Sequence, residues 1–211
     1  MSYCINIAID SEGLKKIYSV GQTVTLCKGV MGHVQSKVAG QTGSTVAWIA
    51  FSPLQSNDVV YDELSYYLFA TTTPLQFGNV ISMSSQTPSP AQAGWTYTFD
   101  QGHFSGVPGS GTTYNVYNGA IATTMAFGLA QSASVNNVSV LAPQVALPVL
   151  YNQTVFFQPS TTVSIFLSSC QANGTILGGI SSLALAVTPT REKPAVNVGF
   201  NDATNTFYLI G

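Results

Sequence analysis

The sequence predicts an all-β fold, a two-layer antiparallel β-sandwich of roughly twelve to fourteen short strands, and three observations carry that expectation. First, apolar and polar residues alternate with a period of two in run after run, which turns one face of each run to a core and the other to solvent. Second, Gly, Pro, Asn and Asp punctuate the chain at short intervals, as tight turns require. Third, the chain is 45% apolar but only 7% charged, against about 25% charged in an average globular protein. Its polarity comes from Ser, Thr, Asn, Gln and Gly, which hydrogen-bond from strand faces and turns without carrying charge.

Taken in order, Tyr3, Ile5, Ile7 and Ile9 alternate with Cys4, Asn6 and Ala8 as a half-buried strand. Asp10 and Ser11 can cap one short helical turn ahead of Leu14, the single helix signal in the chain. Residues 21–28 form a second strand, followed by a Gly-punctuated connection, 29–43, that carries His33 and Lys37. Residues 46–51 are apolar on both faces and mark a covered strand ended by Pro53. Strands follow at 59–61, 66–72 and 80–83, and then a Pro-broken link at 84–93. Trp95, Tyr97 and Phe99 alternate with Thr96 and Thr98, the cleanest amphipathic strand in the chain. A tip at 102–111, with four glycines and Pro108, separates it from an extended segment holding Tyr114, Val116 and Tyr117.

The second part repeats the style at 123–130, 137–141, 154–157, 162–168, 183–187, 196–200 and 206–210. The 211 residues read as one domain over 1–211, with halves at 1–110 and 111–211 as the alternative division. A duplicated β-unit is suggested by Tyr67 to Ala70, Gly78 to Val80 and Trp95 to Phe99. These line up in spacing with Phe127 to Ala130, Asn136 to Val138 and Gln153 to Phe157. Separately, residues 5–16, INIAIDSEGLKK, resemble the opening of the PixA/AidA group of bacterial inclusion-body proteins over a dozen residues; the resemblance contributes no site residue.

Several functions are excluded by what the chain lacks. A net charge of -2 and six scattered basic residues leave no field to hold phosphates, so no nucleic-acid partner is expected. No run approaches roughly 18 apolar residues, so no transmembrane segment is expected. The opening residues lack a basic region, and Asn6 and Asp10 interrupt their apolar run. The protein therefore reads as cytoplasmic, or released without a signal peptide. Cys4, Cys27 and Cys170 are odd in number and form no CxxC pair, which argues for buried thiols rather than a disulfide framework or zinc site.

Catalysis finds little support. Ser105 does not sit in a nucleophile elbow, and Asp100 beside His103 is explained as readily by a polar hairpin end as by an oriented base. Asp58, Asp62 and Glu63 read as solvated loop acids, and no calcium loop, phosphate loop or other cofactor site is expected. A non-enzymatic binding protein follows by elimination.

Sugars are neutral, ring-shaped and rich in hydroxyls, so a site for them needs aromatic faces and uncharged or acidic hydrogen-bonding groups. Residues 94–118 concentrate those groups, and Trp95, Asp100, Gln101, His103, Tyr114, Tyr117 and Asn118 are the expected ligand-binding residues. The expectation is lectin-like recognition of a carbohydrate or glycoconjugate by a homo-oligomer, in the manner of a defence protein or toxin. The alternative is a self-assembling structural or inclusion-forming protein, because low charge lets strand edges approach one another.

Overall fold

The computed structural model describes residues 1–35, 43–120 and 125–211, so Lys37 and the expected strand start at Thr123 lie outside the described residues. The described residues form sixteen strands and one helix: β1 (Ser2–Ala8), α1 (Ser11–Ser19), β2 (Thr23–Val34), β3 (Val46–Ala47), β4 (Ile49–Phe51), β5 (Ser56–Thr71), β6 (Ser85–Gln86), β7 (Thr96–Asp100), β8 (His103–Val107), β9 (Tyr114–Asn118), β10 (Met125–Val135), β11 (Val138–Val149), β12 (Thr154–Ser168), β13 (Thr175–Ile176), β14 (Leu185–Val187), β15 (Ala195–Asn201) and β16 (Thr206–Ile210). The helix is longer than the single turn expected, and Asp10 caps it by accepting a 2.7 Å bond from the Gly13 amide.

Two seven-stranded sheets pack face to face, as the alternation predicted. The first runs β11-β10-β5-β1-β15-β16 with β6 beside β5; the second runs β4-β2-β12-β9-β7-β8 with β14 beside β12. Two pairings depart from the antiparallel expectation, since β1 lies parallel to β15 and β7 parallel to β9. In the second case the chain leaves β8 and crosses β7 before re-entering as β9, which reverses its direction relative to the hairpin partner.

Each sheet draws strands from both sides of position 110, so halves at 1–110 and 111–211 do not fold as separate layers. Of the three matched blocks, residues 67–70 pair directly with 127–130, and the third blocks flank β9 from either side within β7 and β12. The middle blocks differ. Val80 makes only an isolated bridge to Thr175, whereas Asn136 and Asn137, at φ 49° and 66°, form a tight hairpin turn.

The inner faces bury two apolar clusters end to end along the strands. One gathers Ile5, Ile7, Leu26, Trp48, Val59, Tyr61 and Ile165; the other gathers Leu68, Phe99, Tyr114, Val116, Phe127, Leu147 and Phe157. A polar layer separates them, where three register breaks converge. Residues 62–65 of β5 bulge out opposite Ser132, Gln144 is skipped between β11 and β10, and residues 160–162 of β12 bulge out opposite Gly29. Such bulges free side chains from the regular inward and outward alternation.

In that layer the buried Lys28 ammonium donates to Gln131 Oε1 at 2.8 Å and to the Tyr66 hydroxyl at 3.0 Å. The rings of Tyr61, Tyr66 and Trp48 surround it at 4.5, 5.3 and 5.4 Å. Gln144 Nε2 also donates to Gln131 Oε1, and Gln131 Nε2 donates to the Asp62 carbonyl. Burial lowers the Lys28 pKa to about 7, with Glu63 opposing the shift.

The outer faces of the two sheets are unlike. Phe69, Ala126, Ala130 and Ala146 on the outside of the first sheet are covered by Val46, Ile81 and Ile176, a third apolar layer built from β3, β13 and the loop before β6. Among the described residues, the outside of the second sheet, over β12, β9, β7 and β8, carries no such layer. Its outward side chains there range from half-buried, as at Phe156, Tyr117 and Thr98, to exposed, as at Thr96, Asp100 and Ser105, with Asn115 alone among them buried.

Candidate functional site

The open face is built from rows of cross-strand neighbours. One row runs His33, Phe156, Asn115, Thr96 across β2, β12, β9 and β7. The next runs Thr154, Tyr117, Thr98, Ser105, and at the far end Asp100 stands opposite His103. Alternation decides which residues these are. With Tyr97, Phe99 and Phe157 turned inward to the core, Thr96, Thr98, Asp100 and Phe156 must turn outward.

Aromatic planes and neutral hydrogen-bonding groups intermingle on this face. The His33 ring stacks on Phe156 with centroids 5.0 Å apart and planes at 15°. Tyr117 donates its hydroxyl to Asn152 Oδ1 at 2.6 Å, which holds the phenol ring in a defined position. Phe156 and Tyr117 are diagonal neighbours on adjacent strands, so their positions lie roughly 7–8 Å apart. Between and beside them Thr113 donates to Asn115 Oδ1 at 2.7 Å.

At the end of the face the chain reverses through Gln101 and Gly102. Both have positive φ, 47° and 83°, the signature of a two-residue hairpin turn compatible with strand twist. The turn is therefore tight, and the expected tip at 102–111 is instead the return strand β8 followed by a crossover to β9. His103 Nδ1 lies 2.9 Å from the Gln101 carbonyl. A carbonyl only accepts, so Nδ1 is the donor in this contact. Asp100 and Gln101 also line a shallow groove of about 500 Å3 with Ser84, Ser85, Ala120 and Met125.

The seven residues expected from the sequence are thus divided by the fold. Asp100, Gln101 and His103 are exposed and adjacent, and Tyr117 stands half-buried on the same face. Trp95 faces the other way. It packs against the core and stacks on Tyr97 with centroids 6.1 Å apart, so it is not part of this surface. Tyr114 is likewise a core residue, its ring 5.3 Å from Tyr66, and burial pushes its hydroxyl pKa up to about 12. Asn118 is fully buried and structural: Nδ2 donates to the Val149 carbonyl and Oδ1 accepts from the Ala120 amide.

The sequence reading missed His33, Phe156, Asn115 and the outward threonines. His33 fell in an expected loop because Gly29 and Gly32 interrupt the pattern, yet β2 continues through both to Val34. Gly32 is needed there: a Cβ would lie 2.3 Å from Leu147 Cδ1. Among the described residues no three His, Cys, Asp or Glu side chains gather as a metal-binding group, and no helix is long and apolar enough to cross a membrane. Lys28, whose amine is strongly perturbed, is buried among its rings and acceptors between the two sheets, away from the open face. No family model matches the chain, and no curated protein or solved structure is significantly similar to it.

Proposed function

We propose that the protein is a non-enzymatic carbohydrate-binding protein, and that the sugar lies on the outer face of the second sheet rather than at the hairpin tip alone. The observation that carries this reading is the Phe156–Tyr117 pair set among Thr96, Thr98, Thr154 and Ser105 on a sheet face that no further apolar layer covers among the described residues. Pyranose rings present apolar C–H faces that pack on aromatic planes, and their hydroxyls need neutral donors and acceptors at the rim of the contact. Asp100 and His103 add two exposed hydrogen-bonding side chains at one end. Dense phosphate recognition is disfavoured because the rows contain no lysine or arginine.

Among the described residues the face is a sheet surface rather than a pocket, so it suits a chain of sugar units lying across the strands better than a single enclosed terminal sugar. The test is binding of the purified protein to an array of neutral polysaccharides and glycan termini, followed by calorimetry on the strongest hit. Replacing Phe156 and Tyr117 together with alanine is expected to weaken binding by at least about 30-fold, on the scale of losing two contact residues of hot-spot strength. A variant that binds as tightly as the parent protein would remove the open face from consideration, and an array without any hit would remove the carbohydrate reading itself.

A further inference from the structure

We infer that β16 is a dimerisation edge, and that the protein pairs with a second copy of itself through antiparallel contact between the two β16 strands. A sheet edge exposes unpaired backbone donors and acceptors that another strand can satisfy, and folded proteins normally blunt such edges. The main strand paths of the two sheets end at four edges, three of them blunted; β6 and β14, paired off those paths, are only two and three residues long. The β11 edge carries Pro143 and Pro148 and is further occupied by the Ser44 amide, which donates to the Ala146 carbonyl. At the β4 edge the strand has three residues, and the Ala50 amide donates to Asn173 Oδ1. The β8 edge contains Gly106, ends at Pro108, and is crossed at its start by Ser85, whose hydroxyl donates to the Gly102 carbonyl.

The fourth edge has none of these devices. Its strand, Thr206-Phe207-Tyr208-Leu209-Ile210, has no proline, no glycine and no charge, and no described residue outside β15 bonds to its backbone. Tyr208, Leu209 and Ile210 are 49%, 55% and 44% exposed. Leu209 is the telling one. It shares the core-facing side of the strand with buried Phe207 and sits opposite fully buried Val198, so an inward apolar side chain lacks a cover. On the same strand, Phe207 lines a groove of about 510 Å3 between α1, β12 and β16, of mixed character, where Ile17, Val20 and Leu183 stand with Lys16 and Gln22.

A second copy is the occupant this edge fits. Antiparallel self-pairing about Tyr208 sets Leu209 against Phe207 of the second copy and Thr206 against Ile210, and no like charges meet. Lys16, which lines the groove, and Asp202, in the turn between β15 and β16, form a 3.0 Å pair with each other. Val20, Leu183, Tyr208, Leu209 and Ile210 are each 44–65% exposed. Half-exposed side chains of that size offer on the order of 500 Å2, which with the strand backbone approaches the ~800 Å2 that each partner gives to a standard interface. Pairing occupies the unblunted end of the first sheet, and self-pairing of one strand is two-fold, so the assembly closes as a dimer instead of growing into a filament. The two-fold axis stands perpendicular to the joined sheet, and both copies therefore keep the second sheet on the same side. Two open faces look in one direction, an arrangement that would give avidity on a repetitive surface.

The experiment is sedimentation equilibrium on the full chain, read without any sugar so that its result is independent of the carbohydrate proposal. A dimer of the 22.2 kDa chain is expected. Leu209→Lys is expected to weaken dimerisation at least about 100-fold with a thermal midpoint within a few degrees of the parent, since Leu209 is a surface side chain in the monomer. Val138→Lys, on the opposite edge, is expected to leave the dimer intact. Hydrogen exchange supplies a second readout: the amides of residues 206–210 should slow with rising protein concentration in the parent and not in Leu209→Lys. A parent chain that remains monomeric up to about 100 μM, well above the micromolar range of ordinary specific association, would overturn the inference. A dimer that survives Leu209→Lys, or one in which residues 206–210 stay unprotected, would do the same.

Discussion

Phe69 and Phe156 both point outward from their sheets, yet they live in different surroundings. Phe69 is fully buried beneath Val46, Ile81 and Ile176, and its ring fills the space over Gly128, where a Cβ would lie 2.3 Å from Phe69 Cζ. Phe156 is only half-buried, with one neighbour stacked on it and solvent beyond. An outward aromatic is therefore core where a third layer covers the sheet and surface where none does. The difference separates the face that stabilises the fold from the face free to meet a ligand.

The largest effect expected from this contrast is on stability. Phe69→Ala should lower the unfolding free energy by about 3–5 kcal/mol, because it removes a large buried ring and leaves a cavity. Phe156→Ala should lower it by no more than about 1.5 kcal/mol, the scale of one aromatic pair. Urea titration of both variants checks the comparison; equal losses would mean that the second sheet is as much covered as the first.

A second prediction concerns the polar layer between the two inner clusters. The folded-state pKa of Lys28 is lowered to about 7, while in the unfolded chain it is that of an ordinary lysine, about 10.4. Between those values the unfolded chain holds a proton that the folded chain has released, so stability rises with pH, at up to about 1.4 kcal/mol per unit from this residue. Below pH 7 both states are protonated and the full penalty is present. Near pH 10 the trend reverses. The hydroxyl pKa values of Tyr61, Tyr66 and Tyr114 are raised by burial, and the stability tied to their neutral forms is lost as the unfolded tyrosines ionise. Lys28→Met should abolish the rise between pH 7 and 9 in chemical denaturation. A slope that persists would assign it to another group.

The smallest stability effect belongs to the hairpin end. Asp100→Ala with His103→Ala should leave the thermal midpoint within a few degrees, since both are exposed and the turn is set by Gln101 and Gly102. The same pair should weaken sugar binding less than loss of Phe156 and Tyr117. A larger loss would move the centre of the site towards the turn and the groove beside it.

The legible part of the candidate site was the part governed by local rules. The polar hairpin end at Asp100 and His103 was expected, but its reversal takes two residues, Gln101 and Gly102, where the sequence suggested a tip over 102–111. Tyr114 and Tyr117 look alike in sequence but are three residues apart and so point to opposite faces of β9. Only the pairing of β9 with β7 and β12 says which of them meets the core. Phe156 and Phe157 were undecidable for the same reason, since adjacent aromatics are apolar on both faces. His33 was hidden by glycines that serve close packing rather than a turn.

By itself the sequence determined the all-β class, the capped N-terminal helix and the low-charge, hydroxyl- and amide-rich surface, because alternation, capping and composition act over a few residues. The tertiary structure decided which sheet each strand enters, which outer face is covered and which edge is left open. Those outcomes rest on pairings between residues far apart in the chain, such as Cys4 with Ala195 and His33 with Phe156. A shift of one residue in any such pairing exchanges the two faces of a strand, and no local pattern encodes that choice.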